Sequence, residues 1–291
     1  GTPRSSCHPQ AFHGKNNLGK NPHGVGKTKA WSERNGLFPQ SFGGCSHPVP
    51  KFFKSEPKLA ETATHSSRSN HMQAERHHAV VTGGTGTLGS AIADALRQPD
   101  WRVEAPGSDE LDLRDNDAIR SYFGSRPVDL LVCAAGVTRD ASLPRLSEEA
   151  WMETWAVNFR GAAECAKAVL PHMRKSGAGH IVFISSYSAL HPPVGQAAYA
   201  AAKAALLGLV ADLVPACGAD NIRVNAVLPG FLETRMTESL TERRRGEILA
   251  AHALGRFNTC QAAAAFIRFL HHELPHTSGQ VFQLDSRPNF P

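Results

Sequence analysis

The sequence predicts an α/β fold: a doubly wound parallel sheet in a single domain, preceded by an N-terminal extension without a fold of its own. Three observations predict it. From residue 78 onward, short β-branched runs alternate with longer Ala- and Leu-rich stretches. The runs are apolar throughout rather than alternating with polar residues, as strands covered on both faces are. A glycine-rich turn lies between the first run and the first helical stretch.

Each element follows in order. Residues 1–71 are rich in Gly, Pro, Ser, His and Asn, with little apolar periodicity. Such a stretch buries too little surface to offset the entropy of ordering, so it is expected to be disordered. The domain is then expected over 72–291. The first 32 residues carry basic but no acidic side chains, a likeness to an organellar transit peptide. The plainer reading is an extension without function upstream of a start at Met72. Gly26-Lys27-Thr28 ends like a phosphate-binding P-loop, but Asn21 stands where that pattern needs its first glycine. Strands are expected at 78–82, 102–105, 128–134, 180–185, 222–228 and 280–284. Helices are expected at 88–98, 115–124, 148–175, 197–217 and 260–272. Only about five residues separate the second strand from Leu111-Asp112-Leu113, whereas a parallel crossover needs a dozen or more. A third strand there is rudimentary, or the helix that should precede it is missing.

The chain of 291 residues has a formal charge of +5, unevenly spread. Residues 1–71 hold ten Lys or Arg and three Asp or Glu, so the basic character belongs to the extension and the remainder is slightly acidic. Nucleic-acid binding by the folded part gains no support. No uncharged apolar run reaches about 18 residues, so no membrane-spanning helix is expected. Cys7, Cys45, Cys133, Cys165, Cys217 and Cys260 form no CxxC pair. The last four sit in strand-like or Ala-rich contexts, as small apolar packers do. Neither a disulfide framework nor a metal site is expected, and a reducing, cytoplasmic setting is the default.

The first strand leads into Thr82-Gly83-Gly84-Thr85-Gly86-Thr87-Leu88-Gly89. Glycines let a backbone turn sharply and approach a pyrophosphate, and the following helix N-terminus offers free N–H groups and a positive dipole end. Further on, Tyr199 and Lys203 are four residues apart in an Ala-rich helix, which puts both on one face. A cation beside a phenol lowers its pKa from about 10 and makes it usable for proton transfer. Ile181-Val182-Phe183-Ile184 is a buried strand that ends in Ser185 and Ser186. A hydroxyl at the C-terminal end of a parallel strand can polarise a carbonyl; either serine could take that part. Asn158 falls inside a helical stretch, where it is a poor former, and suggests helix distortion or a bound water.

These residues together resemble the short-chain dehydrogenase/reductase family, over about residues 77–286. The glycine spacing T-G-x-x-G-x-x-G departs from the family's usual turn and looks like its extended branch, which acts on nucleotide sugars. The resemblance selects Ser186, thirteen residues before Tyr199, as the catalytic serine. It implies that Asn158, in Val157-Asn158-Phe159-Arg160-Gly161, holds a water of a proton relay. Asn158, Ser186, Tyr199 and Lys203 thus match the family's catalytic set. It further implies cofactor contacts from Gly83, Thr85, Gly86, Leu88 and Gly89. Asp112 would meet the adenine, and Ala134, Ala135 and Gly136 would lie beside the adenosine. Pro229, Gly230 and Thr234 would meet the nicotinamide and its phosphates. By the family's spacing, Gly107 and Ser108 occupy the position of the acid that selects NAD(H), which leaves room for a 2′-phosphate and favours NADP(H). Asp109 and Glu104 are nearby acids, and no Arg is obviously placed to pair the phosphate.

The likeness is greatest to the 3-oxoacyl-(acyl-carrier-protein) reductases, through Ala135-Gly136-Val137-Thr138-Arg139-Asp140, Gly195-Gln196-Ala197-Ala198-Tyr199 and Gly255-Arg256-Phe257. Ser286-Arg287 replaces the branch's usual Gly-Gly after Asp285. A carbonyl reductase acting on a small ketone or an acyl-carrier thioester is therefore expected. The competing readings are an NAD-dependent alcohol or sugar dehydrogenase, a nucleotide-sugar epimerase or dehydratase, and a non-enzymatic NADP(H)-binding redox sensor. Residues 231–259 would form a substrate lid. Its Glu242-Arg243-Arg244-Arg245 run reads as a solvated helix face, with attraction of an acidic carrier as the alternative. The family commonly assembles as tetramers, so a homotetramer or homodimer is expected.

Overall fold

The computed structural model describes residues 77–124 and 126–288. The expectations for residues 1–71 and for the domain start at Met72 lie outside the described residues. Six strands form one parallel sheet: β1 (His77–Thr82), β2 (Trp101–Glu104), β3 (Leu130–Cys133), β4 (Gly179–Ile184), β5 (Ile222–Leu228) and β6 (Val281–Gln283), in the order β2-β1-β3-β4-β5-β6. All six strand expectations hold, each within about two residues at its ends, and the fold is the Rossmann-like arrangement.

The apolar runs are explained by two cores. Alternate residues of each strand point to opposite faces. Val80, Leu131, Ile181 and Phe183 face one core, shared with α2 (Asn116–Phe123), α4 (Gly161–Ser176) and α5 (Ala197–Cys217). Val81, Leu130, Val132 and Val182 face the other, shared with α1 (Thr87–Leu96) and α7 (Cys260–His272). The four described cysteines are buried and free, packed like small apolar residues.

Two expectations are corrected. Residues 105–115 contain no strand; Leu111 and Leu113 are buried in an irregular segment, and the single helix α2 carries the crossover to β3. The stretch 148–175 is not one helix. It is α3 (Glu148–Trp155), a π-helical stretch Ala156–Arg160, then α4. A further point concerns α5: Ala197–Asp220 is long and apolar enough to cross a membrane by length and composition alone. It nevertheless carries Lys203 and Asp212, and it packs Leu206, Val210 and Cys217 into the sheet's core. The segment after β5 holds α6 (Glu242–Ala250).

β1 pairs in parallel with β2 on one side and with β3 on the other, so the direction in which successive strands are added to the sheet reverses at β1. Ligands bind open α/β sheets in the crevice at such a point, outside the strands' carboxyl ends. Both the glycine turn after β1 and the Cys133-Ala134-Ala135-Gly136 turn after β3 open there.

Candidate active site

A cleft of about 1170 Å³ runs along the carboxyl edge of the sheet. Of the residues expected in the catalytic set or in contact with the cofactor, all except Asn158 line it.

The glycine turn forms one end. Gly83 has φ +72°, and a Cβ there would lie 2.7 Å from the Ala135 Cα. A Cβ on Gly89 would lie 2.2 Å from the Gly83 carbonyl oxygen. Side chains at either position would collide with backbone, so the turn and the start of α1 close up only with glycine. Gly86 caps α1 with no side-chain bond, which leaves the first N–H groups of the helix facing the cleft near Thr85, Leu88 and Gly89. The turn after β3 lies alongside: the Ala135 N–H donates to Thr82 Oγ1 at 3.3 Å. This cradle and its exposed helix N-terminus fit the pyrophosphate of a dinucleotide.

At the adenosine side, Ser108 lies at the cleft wall beside Gly107, whose Cβ would meet the Thr85 methyl at 2.6 Å. Glu104 is not free for a ribose. It accepts from the Tyr122 hydroxyl and Arg126 at 2.6 Å each and pairs with Arg102 at 2.5 Å. Asp112 is held by Arg114, whose Nε and Nη2 donate at 2.9 and 2.8 Å and keep the carboxyl below its ordinary range.

The reacting end lies beyond β4. Ser185 and Ser186 part company here. Ser185 is buried and donates to the Lys203 carbonyl at 2.8 Å, which ties the strand end to α5. Ser186 lines the cleft and accepts the Ser188 N–H at 3.1 Å. Lys203 is buried, and its Nζ donates to the Ile184 carbonyl at 2.9 Å and sits 5.8 Å from the Tyr199 ring centre. Burial lowers its pKa to about 8. The expected depression of the Tyr199 pKa is corrected. Burial pushes the phenol up, the Ser186 hydroxyl pulls it down by hydrogen bonding, and the Asp140 charge pushes it up again. Desolvation of the phenolate outweighs the help available to it.

Asn158 lies behind this surface, 1% exposed, in the π-helical stretch. Widening of the helix there frees the Thr154 carbonyl from its usual partner, and Asn158 Nδ2 donates to it at 2.8 Å. The same Nδ2 donates to the Val137 carbonyl at 2.8 Å, and Oδ1 accepts the Val137 N–H at 3.3 Å. The helix distortion suggested by this residue is thus present. A Cβ on Gly136 would lie 2.8 Å from Asn158 Oδ1 and 3.5 Å from Lys203 Nζ, so these three groups meet at one point.

Pro229 and Gly230 form the far wall, with Gly230 at φ +86° over the buried Asp285. Thr234 lies in the segment between β5 and α6 and lines the cleft. The charge run on α6 is largely paired: Arg243 and Arg244 both bond Glu247, and Arg245 pairs with Glu233. Sequence reasoning missed three features. Arg235, in the segment after β5, reaches across and donates to the Thr85 carbonyl at 2.5 Å. Arg287 pairs with Asp285 and lies 3.5 Å above the Tyr187 ring. Gln196 bonds both Asp140 and Ser188. The Ser286-Arg287 replacement was the one visible signal; the other two depend on loops that meet only in space.

A dinucleotide cradle and a Ser-Tyr-Lys group on one sheet edge define a nicotinamide-dependent oxidoreductase. The chain belongs to the short-chain dehydrogenase family, whose model matches residues 108–245. A 3-oxoacyl-(acyl-carrier-protein) reductase of Chlamydia muridarum is 32% identical over 237 residues, 71% of this chain and 95% of that protein. The enzyme of the same name from Thermotoga maritima is 42% identical over 159 residues, and the match spans 54% of this chain and 65% of the relative. Among solved structures, a Beutenbergia cavernae chain described as an NAD(P)-dependent gluconate 5-dehydrogenase, with NADP bound at low occupancy, superposes with a TM-score of 0.68. It is 29% identical, and the match covers 72% of this chain and 95% of that one. The protein is an NAD(P)-dependent oxidoreductase.

Proposed function

We propose that this chain is an NADP(H)-dependent carbonyl reductase whose substrate is a 3-oxoacyl thioester. One observation carries the reading: Ser186, Tyr199 and Lys203 line a single cleft whose other end is the glycine cradle. Reduced nicotinamide supplies the hydride for the carbonyl carbon. Ser186 donates a hydrogen bond to the carbonyl oxygen as charge develops on it. Tyr199, kept protonated by burial, gives that oxygen its proton. Lys203 holds the nicotinamide ribose, and Asn158 organises the backbone around Lys203 and retains a water that returns the proton. The cradle residues hold the pyrophosphate. Ala134, Ala135, Gly136 and Asp112 hold the adenosine, and Pro229, Gly230 and Thr234 hold the nicotinamide side. Full engagement of Glu104, with small residues at Gly107 and Ser108, supports NADP(H) over NAD(H).

The similarity to acyl-carrier reductases supports the thioester substrate. A second reading, a sugar dehydrogenase, is favoured by the resemblance to the gluconate 5-dehydrogenase. For assembly we propose a homotetramer or homodimer; Phe269 on α7 and Val281 on the edge strand β6 are 47% and 44% exposed and would be covered in it.

Steady-state rates on acetoacetyl-CoA and on a keto-sugar panel, with NADPH and with NADH, separate the readings. Fastest turnover of acetoacetyl-CoA with NADPH is expected. Preference for the keto-sugars would replace the thioester assignment. Tyr199→Phe should lower kcat by roughly a thousandfold or more, about 4 kcal/mol of barrier, while the NADPH dissociation constant stays near wild type. A variant that turns over normally sinks the role given to Tyr199.

A further inference from the structure

Two loops meet beside Ser186 without belonging to the catalytic set. The segment after β3 is fastened to the turn before α5 by the Ala141 N–H, which donates to the Gly195 carbonyl at 2.9 Å. Next to that bond, Gln196 Nε2 donates to Asp140 Oδ2 at 2.8 Å. Gln196 Oε1 accepts the Ser188 hydroxyl at 3.0 Å, and the Ser188 N–H donates to Ser186 Oγ at 3.1 Å.

The directions of the two side-chain bonds in this chain follow from its first member, and the third bond has a backbone N–H as its donor. An ionised carboxylate can only accept. The NH₂ of Gln196 must therefore face Asp140, and its carbonyl must face Ser188. The Ser188 hydroxyl has to point its proton at that carbonyl, which pins the short turn Tyr187–Ala189 through the side chain. With that turn held, the Ser188 N–H stays on Ser186 Oγ. That N–H takes up a lone pair of Ser186 Oγ, and the Ser186 proton is left for the cleft, where it also meets the Tyr199 hydroxyl.

We infer that Asp140, acting through Gln196 and Ser188, is a positioning residue that fixes the Ser186 hydroxyl as a hydrogen-bond donor to the substrate oxygen. The inference rests on Ser186 being the carbonyl-polarising group. Asp140 and Gln196 lie at the wall of the same cleft, and their part in this scheme is to set the orientation of Ser186. The groups facing the neighbouring Tyr199 are Ser186 after β4, Lys203 on α5 and Asp140 itself.

A charge relocation tests this. In D140N the amide of Gln196 is free to turn over, and kcat should fall several-fold. In Q196E two carboxylates face each other, and kcat should fall by roughly tenfold or more, about 1.4 kcal/mol. The double variant D140N/Q196E again places a donor against a carboxylate and leaves an acceptor for Ser188. Its kcat should recover to within about threefold of wild type, a difference of roughly 0.6 kcal/mol. NADPH affinity should stay unchanged in all three. Acetoacetyl-CoA is the assay substrate; if wild type ignores it, the same variants are compared on the keto-sugar that wild type does reduce. Single variants with wild-type kcat, or a double variant no better than Q196E, overturn the inference. A substrate-independent arm uses the side-chain NH₂ resonances that Q196E deletes from the amide NMR spectrum. They should move in D140N, and a pair that stays in place overturns the inference whatever the enzyme reduces.

Discussion

Gly89 shows how little freedom the cofactor end of the cleft has. Its Cβ position lies 2.2 Å from a backbone oxygen, so nothing short of moving the turn would admit a methyl group. Gly89→Ala should weaken NADPH binding by at least about tenfold, or 1.4 kcal/mol, measured by nucleotide fluorescence titration. Burial disfavours the Lys203 ammonium, and its pKa falls to about 8 against 10.5 unperturbed. If the charged form serves the reaction, kcat for reduction should decline as pH rises through about 8. For stability the sign is opposite. Between 8 and 10.5 the unfolded chain holds the proton more tightly, so this group's contribution rises with pH there. A kcat that stays flat from neutral pH past about 9 would contradict the need for the ammonium.

The interrupted helix is the informative element. An α-helix through residues 156–160 would give the Thr154 carbonyl to a backbone N–H and leave Asn158 without it. The π-helical widening instead hands that carbonyl to the Asn158 side chain, which also brackets Val137 on the loop after β3. One buried amide thus ties α3 to the turn beside Gly136. Asn158→Ala would orphan both carbonyls, at a cost of roughly 1–3 kcal/mol. Urea denaturation should show that loss, and activity should fall with it. Unchanged stability would mean that solvent or relaxation satisfies those groups. Four helices start on a side-chain oxygen: Asp115 caps α2, Ser147 caps α3, Thr241 caps α6 and Thr259 caps α7.

Across the whole molecule, the edge of the sheet opposite the cleft holds a histidine pair, one ring buried and the other half-buried. His180 at the start of β4 and His271 at the end of α7 stack at 5.4 Å, with ring nitrogens 3.2 Å apart. Asn225 donates to the other nitrogen of His180, and Arg223 reaches the backbone of α7 and the His271 ring. Trp101 and His272 pack on the same cluster. Burial, then the Arg223 charge, lower the pKa of both rings, His271 to about 3. From 6.5 downward the unfolded chain takes up protons that the folded chain refuses, so stability falls as pH falls. Each such ring contributes up to about 1.4 kcal/mol per pH unit. The urea midpoint should drop between about pH 7 and about pH 5, and His271→Gln should flatten that slope. An identical slope in the variant would place the acid sensitivity elsewhere.

Strand positions, the parallel class, the glycine turn and the spacing of Ser186, Tyr199 and Lys203 were determined by sequence alone. Each is a local pattern: a strand buried on both faces must be apolar throughout, and a helix puts residues four apart on one side. The choice of Ser186 over Ser185 needed the family's spacing, and only the fold showed Ser185 turned inward to the Lys203 carbonyl. The break at 156–160, the absence of a strand at 105–115, the rise rather than fall of the Tyr199 pKa, and the Asp140-Gln196-Ser188 chain were decided by tertiary structure. These depend on desolvation and on contacts between segments far apart in the chain, and no periodicity along the backbone records which groups will share a buried site.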